Sequence, residues 1–203
     1  RFSLAQASER DIFDLSDQDM ADLPLPQGCR HALYALFDSD VVTRSSQTEA
    51  LRKAAASGKA SFSYLAPLDQ DDAEERIAQA ARLGIKALVL HPYLQNIVGE
   101  RLLKALALAR AAERAGLFVQ VCTAYGSRQI FAIRPLDVAL AVAEAVNCPV
   151  VLTHGGGAKG RDALLIADAM PNVLLDTSFS LSWWLGSRIE DDFAFALRKL
   201  GPS

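Results

Sequence analysis

The chain is poor in cysteine, has no long apolar run and carries no excess of one charge. Its 203 residues include three cysteines, Cys29, Cys122 and Cys148. An odd, widely spaced set is no disulfide framework, and it fits a reducing compartment, the cytoplasm. No apolar stretch reaches the ~18–20 residues that a membrane-spanning helix needs, and no secretory signal pattern is visible. The net charge is −3, with acids and bases interspersed. No basic patch points to nucleic acid, and no polybasic segment points to an anionic membrane surface. A small-molecule substrate is the expected partner. Two catalytic motifs are also missing. Without a Gly-x-Ser-x-Gly elbow, the run His154-Gly155-Gly156-Gly157 does not serve as an esterase oxyanion loop. After Gly160 come Arg161 and Asp162, where a P-loop needs Lys and Ser or Thr.

What is present is ordinary globular composition, 51% apolar and 22% charged, with no linker or low-complexity break. Residues 1–203 read as a single domain. One pattern repeats along it: a short apolar strand, a turn, then a helix of 3.6-residue period. Strands are expected near 31–37, 61–66, 85–91, 117–122, 149–154 and 172–177. Helices are expected near 45–57, 70–83, 98–115, 135–147, 161–169 and 188–199, with a further short one at 16–22. Gly58, Gly84 and Gly116 stand where a glycine ends a helix. Asp71 and Asp72 suit the positive end of the second helix. Ser187 and Glu190 form a capping box for the last.

Strands alternating with helices mean a parallel sheet. Six units whose starts lie roughly 25–30 residues apart match the repeat of a (β/α)8 TIM barrel, which needs eight. The expected fold is an incomplete α/β barrel, with one strand before Arg1 and another after Ser203. A complete six-stranded doubly wound sheet fits the periodicity nearly as well.

Both architectures put chemistry at the carboxyl ends of strands. His154 ends the run Pro149-Val150-Val151-Leu152-Thr153, and three glycines follow. A neutral imidazole there suits metal ligation or general-base work; the bland alternative is a buried histidine bonded to backbone. His91 ends Leu88-Val89-Leu90, a second histidine at an equivalent place, or else a turn residue before Pro92. Asp176 ends Val173-Leu174-Leu175 as a candidate for catalysis, substrate contact or orientation of a ligand histidine, against the commoner role of loop cap. Cys122 ends Leu117-Phe118-Val119-Gln120-Val121 as a candidate ligand or thiolate, against an inert buried thiol. Tyr125 and Arg134 are candidate substrate contacts, Arg134 because its guanidinium fork matches a carboxylate. Trp183 and Trp184 would wall a pocket, or pack against a helix or the neighbouring subunit of a homo-oligomer. Gly155-x-Gly157-x-x-Gly160, between a strand and a helix with Asp176 ending the next strand, also matches a dinucleotide-binding fingerprint.

Four segments in order resemble the amidohydrolase-related family. They are Gly84-Ile85-Lys86-Ala87-Leu88-Val89-Leu90-His91-Pro92-Tyr93, Cys122-Thr123-Ala124-Tyr125-Gly126, Val150-Val151-Leu152-Thr153-His154-Gly155-Gly156 and Pro171-Asn172-Val173-Leu174-Leu175-Asp176-Thr177-Ser178. The resemblance implies a (β/α)8 barrel and metal-dependent hydrolysis of a small carboxylate, amide or lactone. It also implies a divalent metal, zinc or manganese. It makes His154 the metal-binding histidine of strand six and puts Cys122 where strand five usually carries a histidine. The family's His-x-His pair and its Gly-Ser-Asp aspartate have no counterpart in this chain, so a complete metal site is not expected within it. Non-oxidative decarboxylation of an aromatic acid is the same-family alternative. A dinucleotide-binding domain and a non-catalytic barrel stand outside it.

Overall fold

The computed structural model describes residues 30–124 and 132–201. Six strands lie in one sheet: β1 (Ala32–Leu36), β2 (Ala60–Leu65), β3 (Ala87–Leu90), β4 (Phe118–Cys122), β5 (Val150–Thr153) and β6 (Val173–Leu175). Between and after them run α1 (Ser45–Ala56), α2 (Ala73–Arg82), α3 (Glu100–Arg114), α4 (Pro135–Ala145), α5 (Gly160–Ala169), the short α6 (Ser180–Trp183) and α7 (Arg188–Leu200). Five strands fall inside their expected windows, and β2 begins one residue before its own, at Ala60. The helix proposed at 16–22 lies outside the described residues.

Strand order separates the two candidate architectures. The sheet reads β1-β2-β3-β4-β5-β6, and every neighbouring pair is parallel. A doubly wound sheet reverses direction at a switch point, and this one never does. Successive right-handed crossovers moving one way around a sheet are the construction of a barrel. The chain is an incomplete α/β barrel, and the doubly wound expectation is corrected.

Register divides the strand residues cleanly. Tyr64 pairs with Leu88, Leu88 with Val119, Val119 with Val150 and Val150 with Val173, one row facing the helices. These residues belong to the single apolar core. The helices answer with mostly small side chains: Leu51 and Ala54; Ile77 and Ala80; Ala105, Leu108, Ala109 and Ala112; Ala139, Val142 and Ala143; Ala163 and Ala167. Their spacing of three and four residues puts them on one face of each helix, and alanine lets the helices lie close to the strands. The other face of the sheet carries Ser63, Val89, Gln120, Cys122, Val151 and Thr153, a smaller and more polar set.

Helix boundaries moved where local bonding overruled periodicity. The segment expected from 70 starts as a helix only at Ala73; Asp72, at its N-cap, turns its carboxylate to Arg76 (2.6 Å) and caps no N–H. Ser187 does cap α7, accepting from the Ile189 N–H (3.2 Å). Its partner Glu190 accepts from Gly186 N–H (2.7 Å), because Ser187 N–H is already donated to the Trp184 carbonyl. Among the described residues no helix is long and apolar enough to cross a membrane.

Candidate active site

The carboxyl ends of the strands bring the chemistry-bearing side chains to one rim. Cys122 pairs with Thr153. Continuing the strand registers by one residue sets His91 beside Cys122 and Asp176 beside Thr153. The row His91, Cys122, Thr153, Asp176 therefore crosses four adjacent strands on the concave face.

His154 does not belong to that row by alternation. Thr153 already faces inward, so an extended residue 154 would face the helices. Instead His154 takes φ +68°, a left-handed conformation uncommon outside glycine. Gly155, Gly156 and Gly157 continue with φ of +51°, +82° and +54°. This irregular turn, His154–Lys159, bends the chain over the strand ends. A Cβ on Gly155 would stand 2.7 Å from Phe193 Cε1, and one on Gly156 2.7 Å from Ala163 Cβ. The glycines therefore let α5 and α7 close on the turn. This corrects the dinucleotide expectation. The space beside Gly155 and Gly156 is filled by the protein's own side chains, and the sheet has no switch point at which a dinucleotide would lie.

Three of the four polar groups of His154 have a partner. Its N–H points to Asp176 Oδ2 (3.4 Å), and its carbonyl accepts from Ser180 Oγ (2.6 Å). Its Nδ1 lies 3.0 Å from the Ser178 carbonyl. A carbonyl only accepts, so Nδ1 carries a proton, and in the neutral ring Nε2 presents a lone pair. His91 is set the other way. Leu94 N–H donates to its Nδ1 (3.2 Å), so in the neutral ring Nε2 carries the proton and is a donor. Burial lowers the His91 pKa below its ordinary 6.5; a backbone hydrogen bond opposes this, and repulsion from the His154 ring whenever that ring is protonated adds to the lowering. The ring therefore stays neutral.

Asp176 is turned onto its own loop. Its carboxylate accepts from Ser178 N–H (3.0 Å) and from the Ser178 hydroxyl, besides reaching the His154 N–H. It positions the histidine through its backbone rather than through the imidazole. Cys122 is buried, and burial pushes its thiol pKa up, opposed by a hydrogen bond with the Ala124 backbone. At neutral pH it is a protonated thiol. Arg134 stands at the start of α4, largely exposed, with its guanidinium 3.3 Å from Asp137. Tyr125 lies outside the described residues.

The structure adds side chains that strand-end reasoning passed over. Phe37, just past β1 and 56% exposed, meets the His91 ring edge-on, with Tyr93 on another side. Phe179 meets the His154 ring edge-on and stacks on Trp183, which is 65% exposed. Phe37 occupies the strand-end position of its own βα unit, so the rule that singled out His91 would also have found it. Thr123 is fully buried one residue beyond β4.

Among the described residues no group of three His, Cys, Asp or Glu side chains stands together to hold a divalent metal. His154 offers a lone pair, His91 Nε2 is occupied by a proton, and Cys122 is held as a thiol. These residues alone do not fit a metal centre, which usually takes three protein ligands.

Comparison with known families matches residues 5–202 to the amidohydrolase model. No curated protein matches the chain.

Proposed function

The chain belongs to the amidohydrolase family, and from that premise we propose that it hydrolyses a small carboxylate, amide or lactone at the strand-end rim. The family generally uses a divalent metal. Zinc or manganese would find one ligand among the described residues, His154 Nε2, and the steps below are carried by the protein's own groups.

The observation that supports this reading is the opposed setting of two imidazoles. His154 presents a base at Nε2, and His91 presents a neutral donor at Nε2. Hydrolysis asks for both. His154 Nε2 takes a proton from water as the oxygen attacks the carbonyl carbon. His91 Nε2–H donates to the carbonyl oxygen as negative charge gathers on it. The bond from carbon to the leaving nitrogen or oxygen then breaks, and the proton held by His154 passes to the leaving group. Asp176, Ser178 and Ser180 hold the histidine while this happens.

Aromatic side chains flank both imidazoles, and this favours decarboxylation of an aromatic acid as the second reading. There the carbon–carbon bond breaks, CO2 leaves and a proton takes its place on the ring. One experiment addresses both. The protein is assayed against a panel of small carboxylates, amides, lactones and aromatic acids, with product analysis and elemental analysis for zinc and manganese. His154→Ala is expected to lower turnover on the order of 10²–10⁴-fold, the usual worth of a general base. Release of CO2 would select the second reading, and unchanged turnover and metal content in His154→Ala would remove both.

A further inference from the structure

We propose that Thr123 is a positioning residue, whose hydroxyl holds His154 in its left-handed conformation and so aims Nε2 into the rim; the proposal rests on the reading of His154 given above. The hydroxyl makes two hydrogen bonds, and their partners bracket the histidine. It donates to the Thr153 carbonyl (2.6 Å), just before His154, and accepts from Gly156 N–H (2.8 Å), two residues after it. The Thr153 hydroxyl donates back to the Val121 carbonyl (2.9 Å), closing a reciprocal clamp between the ends of β4 and β5.

The clamp matters because of what His154 would do without it. A non-glycine residue at φ +68° is strained and persists only when its surroundings over-determine it. Relaxation to an extended conformation would return the imidazole toward the helix side of the sheet, by the alternation already described. Asp176, Ser178 and Ser180 also hold His154, but they share one segment beyond β6. Thr123 holds it from the opposite neighbour, β4, so the histidine is gripped from both sides. The chain needs a hydroxyl here, since it must give one bond and take another. Threonine does both while its methyl packs in the buried site.

The test reads the imidazole directly and needs no substrate. Protein labelled with 15N-histidine is observed by NMR, with the His154 signals assigned by their loss in His154→Gln. The wild type is expected to show a proton-bearing Nδ1 and a bare Nε2 for His154, and the reverse for His91, which serves as internal reference. Thr123→Val, close in shape but unable to bond, is expected to shift His154 away from the Nδ1–H form and leave His91 unmoved. Thr123→Ser is expected to retain the wild-type pattern. A folded Thr123→Val protein that keeps the full Nδ1–H signature would overturn the proposal. If the valine variant does not fold, amide exchange decides. Gly156 must be protected on the order of a hundredfold or more in the wild type and in Thr123→Ser, and exchange near the unprotected rate overturns the idea. Loss of the catalytic reading would show instead as unchanged turnover in His154→Ala, a separate result.

Discussion

His91 and His154 are the same residue at equivalent strand ends, and one backbone contact apiece gives them opposite chemistry. Leu94 N–H fills the lone pair of His91 Nδ1, while the Ser178 carbonyl takes the proton of His154 Nδ1. Fixing the tautomer through the far nitrogen is the usual way a protein decides what an imidazole offers its site. The depressed pKa of His91 has a consequence for stability. The unfolded chain binds a proton near the ordinary 6.5, and the folded chain resists it. Stability is therefore complete above pH 6.5 and is lost as pH falls from there toward the lower folded value. Urea titrations at a series of pH values are expected to show this loss in the wild type. They are expected to show a smaller one in His91→Gln, whose side chain does not titrate. An equal pH dependence in the two proteins would refute the burial argument.

At the scale of elements, the turn His154–Lys159 depends on α7. Phe193 is buried beneath it, with Cε1 2.7 Å from where a Gly155 Cβ would stand and Cζ 3.6 Å from that of Gly160. Gly155→Ala meets that ring, the Asp176 carbonyl at 3.3 Å and an unfavourable φ of +51° together. The variant is expected to lose roughly 1–3 kcal/mol of stability by chemical denaturation. A loss below a few tenths would mean that α7 yields easily. The same turn marks a limit of periodicity. The β and α patterns locate six strands and six helices among the described residues, yet they give no element for 155–159 and miss α6. Three consecutive left-handed glycines leave no hydrophobic period to detect. The four residues of α6 are too few to show one.

At the scale of the whole molecule, strand order carries the functional distinction. The Gly155, Gly157 and Gly160 spacing is a fair dinucleotide fingerprint in isolation, but the sheet around it runs without reversal. Titration with NADH up to about 1 mM is therefore expected to leave the nucleotide's fluorescence unchanged. Saturable binding abolished by substitution at Gly157 would contradict the fold-based argument.

Local sequence determined the six strands, their helices, the capping serine of α7 and the placing of His91, Cys122, His154 and Asp176 at strand ends. These follow from side-chain period and from glycine, proline and serine chemistry, which act over a few residues. Tertiary structure decided the rest. Which strand neighbours which depends on crossovers tens of residues long. The inward turn of His154 depends on Thr123, Asp176, Ser178 and Ser180, which come from two other segments. The tautomers depend on a carbonyl 24 residues away for His154 and an amide three residues away for His91. A hydrogen bond has a direction that residue spacing does not record, and that direction separates a base from a donor in this site.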